Sequence, residues 1–156
     1  MTMAPTLERY LMDQGATYRL LSHPLTQTAA ETAHASHISG NRVAKGVLLA
    51  DGDGYLLAVL PASHQLDLDR LGAWLGRPVS LASEQEVGRL FPDCELGAIP
   101  AVGWAYGLDV IVDDSLATQD AIWFEAGDHR SLVEVGGDQF RRLLGAAPHG
   151  VFSIHD

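Results

Sequence analysis

Lys45 is the residue whose type and placement most strongly suggest chemistry. It is the only lysine in a chain with ten lysine and arginine residues, and it lies at the start of an apolar segment, Val43-Ala-Lys-Gly-Val-Leu-Leu. A compact ammonium has a pKa that burial shifts, and it makes a point contact to an oxygen atom. The alternative is a strand-edge lysine that extends into water or pairs with an aspartate.

The loop over residues 95–103 is a second candidate. Gly97 and Gly103 permit unusual backbone angles, and Pro100 stiffens the segment between them. Such a loop can direct several N–H groups towards one carbonyl oxygen, as an oxyanion hole requires. The alternative is an ordinary connection with a buried apolar side, which is the commoner case.

The histidines and the single cysteine give weaker signals. His34 and His37 lie three residues apart on a predicted helix, but no third ligand stands at a suitable spacing, so we predict no metal site. His23 can line the mouth of a pocket and His129 can orient a substrate, with plain turn histidines as the alternative. A nucleophilic Cys94 would require a neighbouring base, so we interpret it as a small buried residue.

Motifs and charge exclude several classes of protein. The sequence has no Walker loop, GxGxxG, GxSxG or CxxC motif, so we predict no cofactor. The net charge of −10 argues against broad binding to nucleic acid, but it is compatible with a grip on one end of a nucleic acid. We find no polybasic membrane patch and no apolar run that spans a bilayer. Residues 1–10 lack a signal-peptide pattern and one cysteine forms no internal disulfide, so we expect a cytoplasmic location.

The elements that must position these residues follow from apolar spacing, capping residues and turns. Helices are predicted over residues 6–14, 28–37, 67–75, 83–90 and 138–144. Strands are predicted over residues 17–22, 43–50, 55–60, 79–81, 108–112, 121–124 and 132–135. This order predicts a single α+β domain over residues 1–156, with a mixed, largely antiparallel sheet and helices around it.

The ordered set of motifs resembles one known family over nearly the whole chain. The motifs are His23-Pro24, Thr28-Ala-Ala-Glu31, Val43-Ala-Lys-Gly-Val-Leu-Leu49, the loop at residues 97–103, Val112-Asp-Asp-Ser-Leu116 and Phe124-Glu-Ala-Gly127. Together they resemble the YbaK / prolyl-tRNA synthetase-associated domain family of trans-editing aminoacyl-tRNA deacylases. The resemblance implies a curved, barrel-like mixed sheet. It also implies hydrolysis of the ester that joins a wrong amino acid, typically Ala or Cys, to proline tRNA.

The same resemblance assigns the site. Lys45 matches the key lysine of the family, and Gly97-Ala-Ile-Pro-Ala101 matches its Gly-x-x-x-Pro loop, except that proline stands one place early and Ala101 ends the motif. The implied catalytic residues are Lys45 and Gly97. The implied substrate-binding residues are His23, Ala98, Ile99, Pro100, Ala101, Gly103 and His129.

The implied partner is the acceptor end of a mischarged tRNA, with an aminoacyl-tRNA synthetase as a further candidate partner. Two alternatives stay open. The altered loop and the acidity suit a non-catalytic binding module for a small ligand or a protein, and the acidity also suits hydrolysis of another small activated acyl compound.

Overall fold

The computed structural model describes residues 3–26 and 28–156. Helices in these ranges are α1 (Pro5–Asp13), α2 (Ala29–Ala35), α3 (Leu68–Leu75), α4 (Glu84–Leu90) and α5 (Gly137–Leu144). The strands are β1 (Arg19–Ser22), β2 (Val43–Ala50), β3 (Tyr55–Pro61), β4 (His64–Leu66), β5 (Ser80–Leu81), β6 (Asp109–Asp113), β7 (Ala121–Glu125), β8 (Ser131–Gly136), β9 (His149–Gly150) and β10 (Ser153–His155).

Eight strands form one mixed sheet in the order β1-β8-β7-β2-β3-β6-β9, with β5 paired to β2. The pairs β1–β8, β7–β8, β2–β3 and β2–β5 are antiparallel, whereas β2–β7, β3–β6 and β6–β9 are parallel. Strands β4 and β10 form a separate antiparallel pair. The predicted α+β class with a mixed sheet is confirmed.

Both faces of the sheet are covered, and β2 shows how the sequence achieves this. Ala44 and Leu48 face the larger core, which also contains Leu7 of α1 and Phe140 of α5. The intervening residues face the opposite side, where Leu49 packs in a second cluster. Successive side chains of a strand point to opposite faces, so Lys45 shares the second face with Val43 and Leu49.

Side-chain caps begin three of the helices, as the sequence predicts. Thr28 Oγ1 accepts a hydrogen bond from Glu31 N, and Asp67 Oδ1 accepts one from Arg70 N. Ser83 opens α4 with a complete capping box. These acceptors satisfy backbone N–H groups that have no partner inside the helix.

Most boundaries differ from the predictions by one or two residues, and three strands were not predicted. Helix α2 ends at Ala35 because His37 adopts a left-handed backbone angle (φ 58°), and α5 begins one residue early. Strands β4, β9 and β10 were not predicted, since two or three residues are too few for an alternating pattern. None of the helices in the described ranges is long and apolar enough to cross a membrane.

Candidate active site

The candidate site lies along the middle of β2, between the part that pairs with β7 and the part that pairs with β5. Strand β7 pairs with residues 43–44 of β2, and β5 pairs with residues 49–50 on the same side. Residues 45–48 between them line a cavity of about 250 Å³. Val43 O accepts from Ala62 N across the β2–β3 pair, so the alternating antiparallel pattern turns the N–H and C=O of Gly46 towards this gap.

Small and apolar residues make most of the cavity wall, and two charged residues interrupt it. The charged residues are Lys45 and Glu125, and Gly97 lies on the wall opposite β2. The apolar residues are Ala29, Val47, Leu48, Leu81, Ala82, Val87 and Ile99. The cavity therefore suits a short apolar group attached to a charged one.

Lys45 is half-buried at this cavity. Burial lowers the pKa of its ammonium, and the carboxylate of Asp156 acts in the opposite direction. No carboxylate lies within 4 Å of the ammonium in the described part of the chain. Asp113 and Asp114 at the end of β6 interact with Ser115 and His149, respectively, and not with Lys45.

Glu125 lies on the same face of the sheet as Lys45. Val43 of β2 and Trp123 of β7 are register partners in the parallel β2–β7 pair. Side chains two positions apart in a strand point to the same face, so Lys45 and Glu125 also share one face of the sheet. The Glu125 side chain is only 6% exposed. Burial raises its pKa to about 7, with Thr32 acting against this rise and Asp128 adding to it. Within the described residues, neither carboxylate oxygen of Glu125 has a hydrogen-bond partner.

His23 lies next to Glu125 but does not line the cavity itself. Its Nδ1–H donates to the carbonyl oxygen of Pro24 at 2.7 Å. Because that carbonyl only accepts, the neutral ring carries its lone pair on Nε2. This Nε2 is buried without a hydrogen bond among the described residues, 3.7 Å from Glu125 Oε1. The predicted substrate-binding histidine is thus a neighbour of Glu125.

In the loop at residues 95–103, hydrogen bonds within the loop reduce the number of backbone N–H groups that can bind a substrate. Gly97 has φ 83°, a left-handed angle that favours glycine, and the N–H of Ala98 is bonded to Glu95 O. The N–H groups of Gly97 and Ile99 have no acceptor within the described ranges. Gly97 and Ile99 also line the cavity, whereas four other residues that the sequence assigns to substrate binding are buried outside it: Ala98, Pro100, Ala101 and Gly103.

His129 holds this loop in place. Its Nε2–H donates to the carbonyl oxygen of Leu96, next to Gly97. His129 has a left-handed backbone angle (φ 61°), and it lines a neighbouring cavity of about 430 Å³ that also contacts Gly97. The ring therefore connects the β7–β8 turn to the loop that bears the two free donors.

Comparisons with known proteins identify a family for this chain. A family model for the aminoacyl-tRNA editing domain matches residues 23–143, a range that includes Lys45, Gly97 and Glu125. The chain belongs to the aminoacyl-tRNA editing domain family. The resemblance found in the sequence is thereby confirmed. A search of the curated proteins found no match.

Solved structures share the fold of this editing domain at low identity. One is a trans-editing enzyme candidate for prolyl-tRNA synthetase, 24% identical over 97% of this chain and 96% of that one, with a TM-score of 0.85. Another is a hypothetical protein, 24% identical over 96% of this chain and 99% of that one, with a TM-score of 0.84. A candidate signal-transduction protein from Marinobacter aquaeolei is 23% identical with a TM-score of 0.79, but the match covers 96% of this chain and 30% of that one.

Arg130 does not form one basic rim with Arg141 and Arg142. Arg130 lies in the turn before β8, whereas Arg141 and Arg142 lie on α5, which follows the other end of that strand. Six residues of extended chain separate the two ends by about 20 Å. Arg141 is also engaged with Asp138 and with a backbone carbonyl.

Glu125 is the site residue that the sequence did not reveal. It was present only as the second residue of the Phe124-Glu-Ala-Gly127 motif, directly after the apolar strand predicted over residues 121–124. A carboxylate at the end of such a strand is a signal, because charged residues are almost never fully buried without a partner. Its position beside Lys45 requires the parallel pairing of β2 and β7, which joins residues about 80 positions apart.

Proposed function

We propose that this editing domain is an aminoacyl-tRNA deacylase that acts in trans on a tRNA charged with a wrong, small amino acid. Ala and Cys on proline tRNA are the first candidates, because the resemblance points to them. The observation that carries the proposal is a single cavity that combines Lys45, the free N–H groups of Gly97 and Ile99, and small apolar walls.

The proposed reaction is ester hydrolysis. A water adds its oxygen to the ester carbonyl carbon, which creates a tetrahedral oxyanion. The bond from that carbon to the ribose oxygen then breaks, the ribose oxygen takes a proton, and free amino acid and tRNA result. An aminoacyl ester is already activated, so no protein nucleophile is required; in the family, the adjacent ribose hydroxyl is a candidate to place the water.

Backbone donors are proposed to stabilise the oxyanion. The N–H groups of Gly97 and Ile99 have no intramolecular acceptor in the described ranges, and the N–H of Gly46 faces the same gap. Fixed donors of this kind require no reorganisation during the reaction, and the loss of one typically lowers the rate about 10²–10³-fold.

Lys45 is proposed to hold the phosphate of the terminal adenosine. Its ammonium has no carboxylate within 4 Å in the described residues, so its charge is available to a ligand. Partial burial strengthens such a contact, because the effective dielectric constant is lower there than in water. Lys45 thus anchors the substrate and does not attack it.

The cavity size supports selection of small amino acids. A volume of about 250 Å³ must hold the aminoacyl group and part of the ribose. One methylene group changes binding by roughly 1–3 kcal/mol, so this pocket excludes large side chains better than it separates similar small ones. Ala101, which stands where the family motif has proline, is fully buried and does not line the cavity.

The charge distribution supports recognition of the acceptor end alone. The net charge is −10 and the arginines of α5 lie far from Arg130, so weak binding to the body of a tRNA is expected. Delivery of the mischarged tRNA by an aminoacyl-tRNA synthetase would compensate for this weak binding. A role in translation places the protein in the cytoplasm.

The test is deacylation of a panel of mischarged tRNAs by the purified protein. The panel contains Ala, Cys, Ser and Pro on proline tRNA, and the variants are Lys45→Ala and, as a control, Arg19→Ala at an exposed ion pair. We expect hydrolysis by the wild type and the control, with a large loss in Lys45→Ala. No hydrolysis of any substrate refutes the proposal, and binding without hydrolysis favours the non-catalytic module.

A further inference from the structure

Three buried acceptor atoms lie together beside the cavity without partners in the described residues. They are Oε1 and Oε2 of Glu125 and Nε2 of His23. Glu125 lines the cavity, its side chain is 6% exposed, and its Oε1 lies 3.7 Å from His23 Nε2. Buried polar atoms are almost always hydrogen-bonded, so a group of three exceptions at a cavity wall indicates a missing donor.

A cationic group with several N–H donors suits this cluster. Glu125 supplies a carboxylate, and the neutral His23 ring presents a lone pair at Nε2 because its Nδ1–H is bonded to Pro24 O. No lysine or arginine of the described chain lies within 4 Å of the Glu125 carboxylate. A primary ammonium carries three N–H donors, and donors of that charge make the strongest hydrogen bonds to carboxylates.

The proposed substrate carries this group at the required place. An aminoacyl ester has an α-ammonium one carbon from the scissile carbonyl and a phosphate at the other end of the adenosine. Above pH 7 the cavity presents the opposite pattern, with the ionised Glu125 and the cationic Lys45 on one face of the sheet. One substrate thus satisfies both charges.

Resting on the function proposed above, we infer that Glu125 binds the free α-ammonium of the aminoacyl group and thereby restricts the cavity to substrates with an unblocked amine. An ester whose amine is acylated, as in a peptidyl-tRNA, has one neutral N–H in place of three charged donors. Such an ester leaves the Glu125 carboxylate buried and unpaired. The pocket therefore separates mischarged aminoacyl-tRNA from peptidyl-tRNA by charge as well as by size.

The experiment compares alanyl-tRNA with N-acetyl-alanyl-tRNA as substrates. We expect the wild type to hydrolyse the free-amine substrate about 10- to 100-fold faster in kcat/KM, the range expected for hydrogen bonds to charged groups. Glu125→Gln keeps the shape but removes the charge, so this preference should fall to near one through loss on the free-amine substrate alone. Glu125→Asp should keep part of the preference, and the control Glu134→Gln, at an exposed ion pair with Arg19, should keep all of it.

Three outcomes overturn the inference. Equal hydrolysis of both substrates by the wild type shows that the amine is not recognised. A preference that survives in Glu125→Gln assigns recognition to another residue. An equal loss on both substrates in Glu125→Gln indicates a general base or a purely structural role.

A binding measurement separates this inference from the proposed function. The probes are adenosine bearing an amide-linked alanine at the 3′ position, which resists hydrolysis, and its N-acetyl form. We expect the free-amine probe to bind the wild type about 10-fold or more tightly than the acetylated one in calorimetric titration, with the difference lost in Glu125→Gln. If no mischarged tRNA is hydrolysed, the proposed function fails, while equal binding of the two probes refutes the role of Glu125.

Discussion

Replacing Glu125 by glutamine is expected to stabilise the folded protein at pH 8, although it removes a charge from the candidate active site. Burial raises the pKa of this carboxyl from 4.5 to about 7. Each pKa difference of one corresponds to about 1.36 kcal/mol, so ionising Glu125 destabilises the folded state by about 3 kcal/mol. Glutamine keeps the shape without that charge.

The sign of the pH dependence follows from proton binding. Between pH 4.5 and 7 the folded state holds a proton on Glu125 that the unfolded state has lost. The free energy of unfolding therefore falls as the pH rises through this window, and it levels off above it. Glu125→Gln lacks this decline, so its advantage over the wild type should grow from pH 5 to pH 8 and then stay constant.

Urea unfolding of both proteins at several pH values between 5 and 8 measures this difference. Glu134→Gln is the matched control, because its exposed pair with Arg19 is worth at most about 1 kcal/mol and should give a flat difference. A Glu125→Gln variant that is less stable than the wild type at pH 8 would refute the reasoning. So would a difference that does not change with pH, since the carboxyl would then be paired or solvated.

Three further predictions concern single residues. Lys45→Arg should lower kcat/KM for deacylation about 10-fold, measured by amino-acid release, because a planar guanidinium does not replace a compact point charge; wild-type activity in this variant would contradict the anchoring role. His129→Ala removes the hydrogen-bond donor to Leu96 O, so the free energy of unfolding should fall by about 1–3 kcal/mol in thermal unfolding and the KM for deacylation should rise. An unchanged KM would contradict the role of His129 in positioning the loop. Burial acts to raise the pKa of Asp113, but hydrogen bonds from Ser115 and the backbone at residue 152 lower it overall, so the stability from this group is present above pH 3.8 and is lost as the pH falls below it. Acid unfolding should therefore be shallower in Asp113→Asn, and identical acid curves would contradict this.

Local signals predicted most of the fold. Thr28, Asp67 and Ser83 begin helices at the predicted places because a cap depends on residues only three positions apart. The turn at residues 51–54 predicted the β2–β3 hairpin for the same reason. Lys45 and Gly97 were also predicted as partners in one site, and both line the same cavity.

Contacts between segments that are far apart in the sequence could not be predicted from local sequence patterns. The pairing of β10 with β4 joins residues about 90 positions apart, and neither strand is long enough to alternate visibly. The buried environment of Glu125 depends on the packing of β1, β2 and β7 in the folded chain, so the sequence around Glu125 did not predict that it is buried. The Gly97–Ala101 segment was predicted to contact substrate along its length, but folding buries Ala98, Pro100 and Ala101 outside the cavity.

The most direct test of the account is single-turnover hydrolysis of alanyl-tRNA specific for proline, beside an alanylated fragment that contains only its acceptor stem. In the proposed function only the acceptor end is recognised, so we expect the wild type to release alanine from both at similar rates, with a large loss in Lys45→Ala. Release of alanine from neither substrate, or an undiminished rate in Lys45→Ala, would contradict the central claim that this cavity hydrolyses mischarged tRNA.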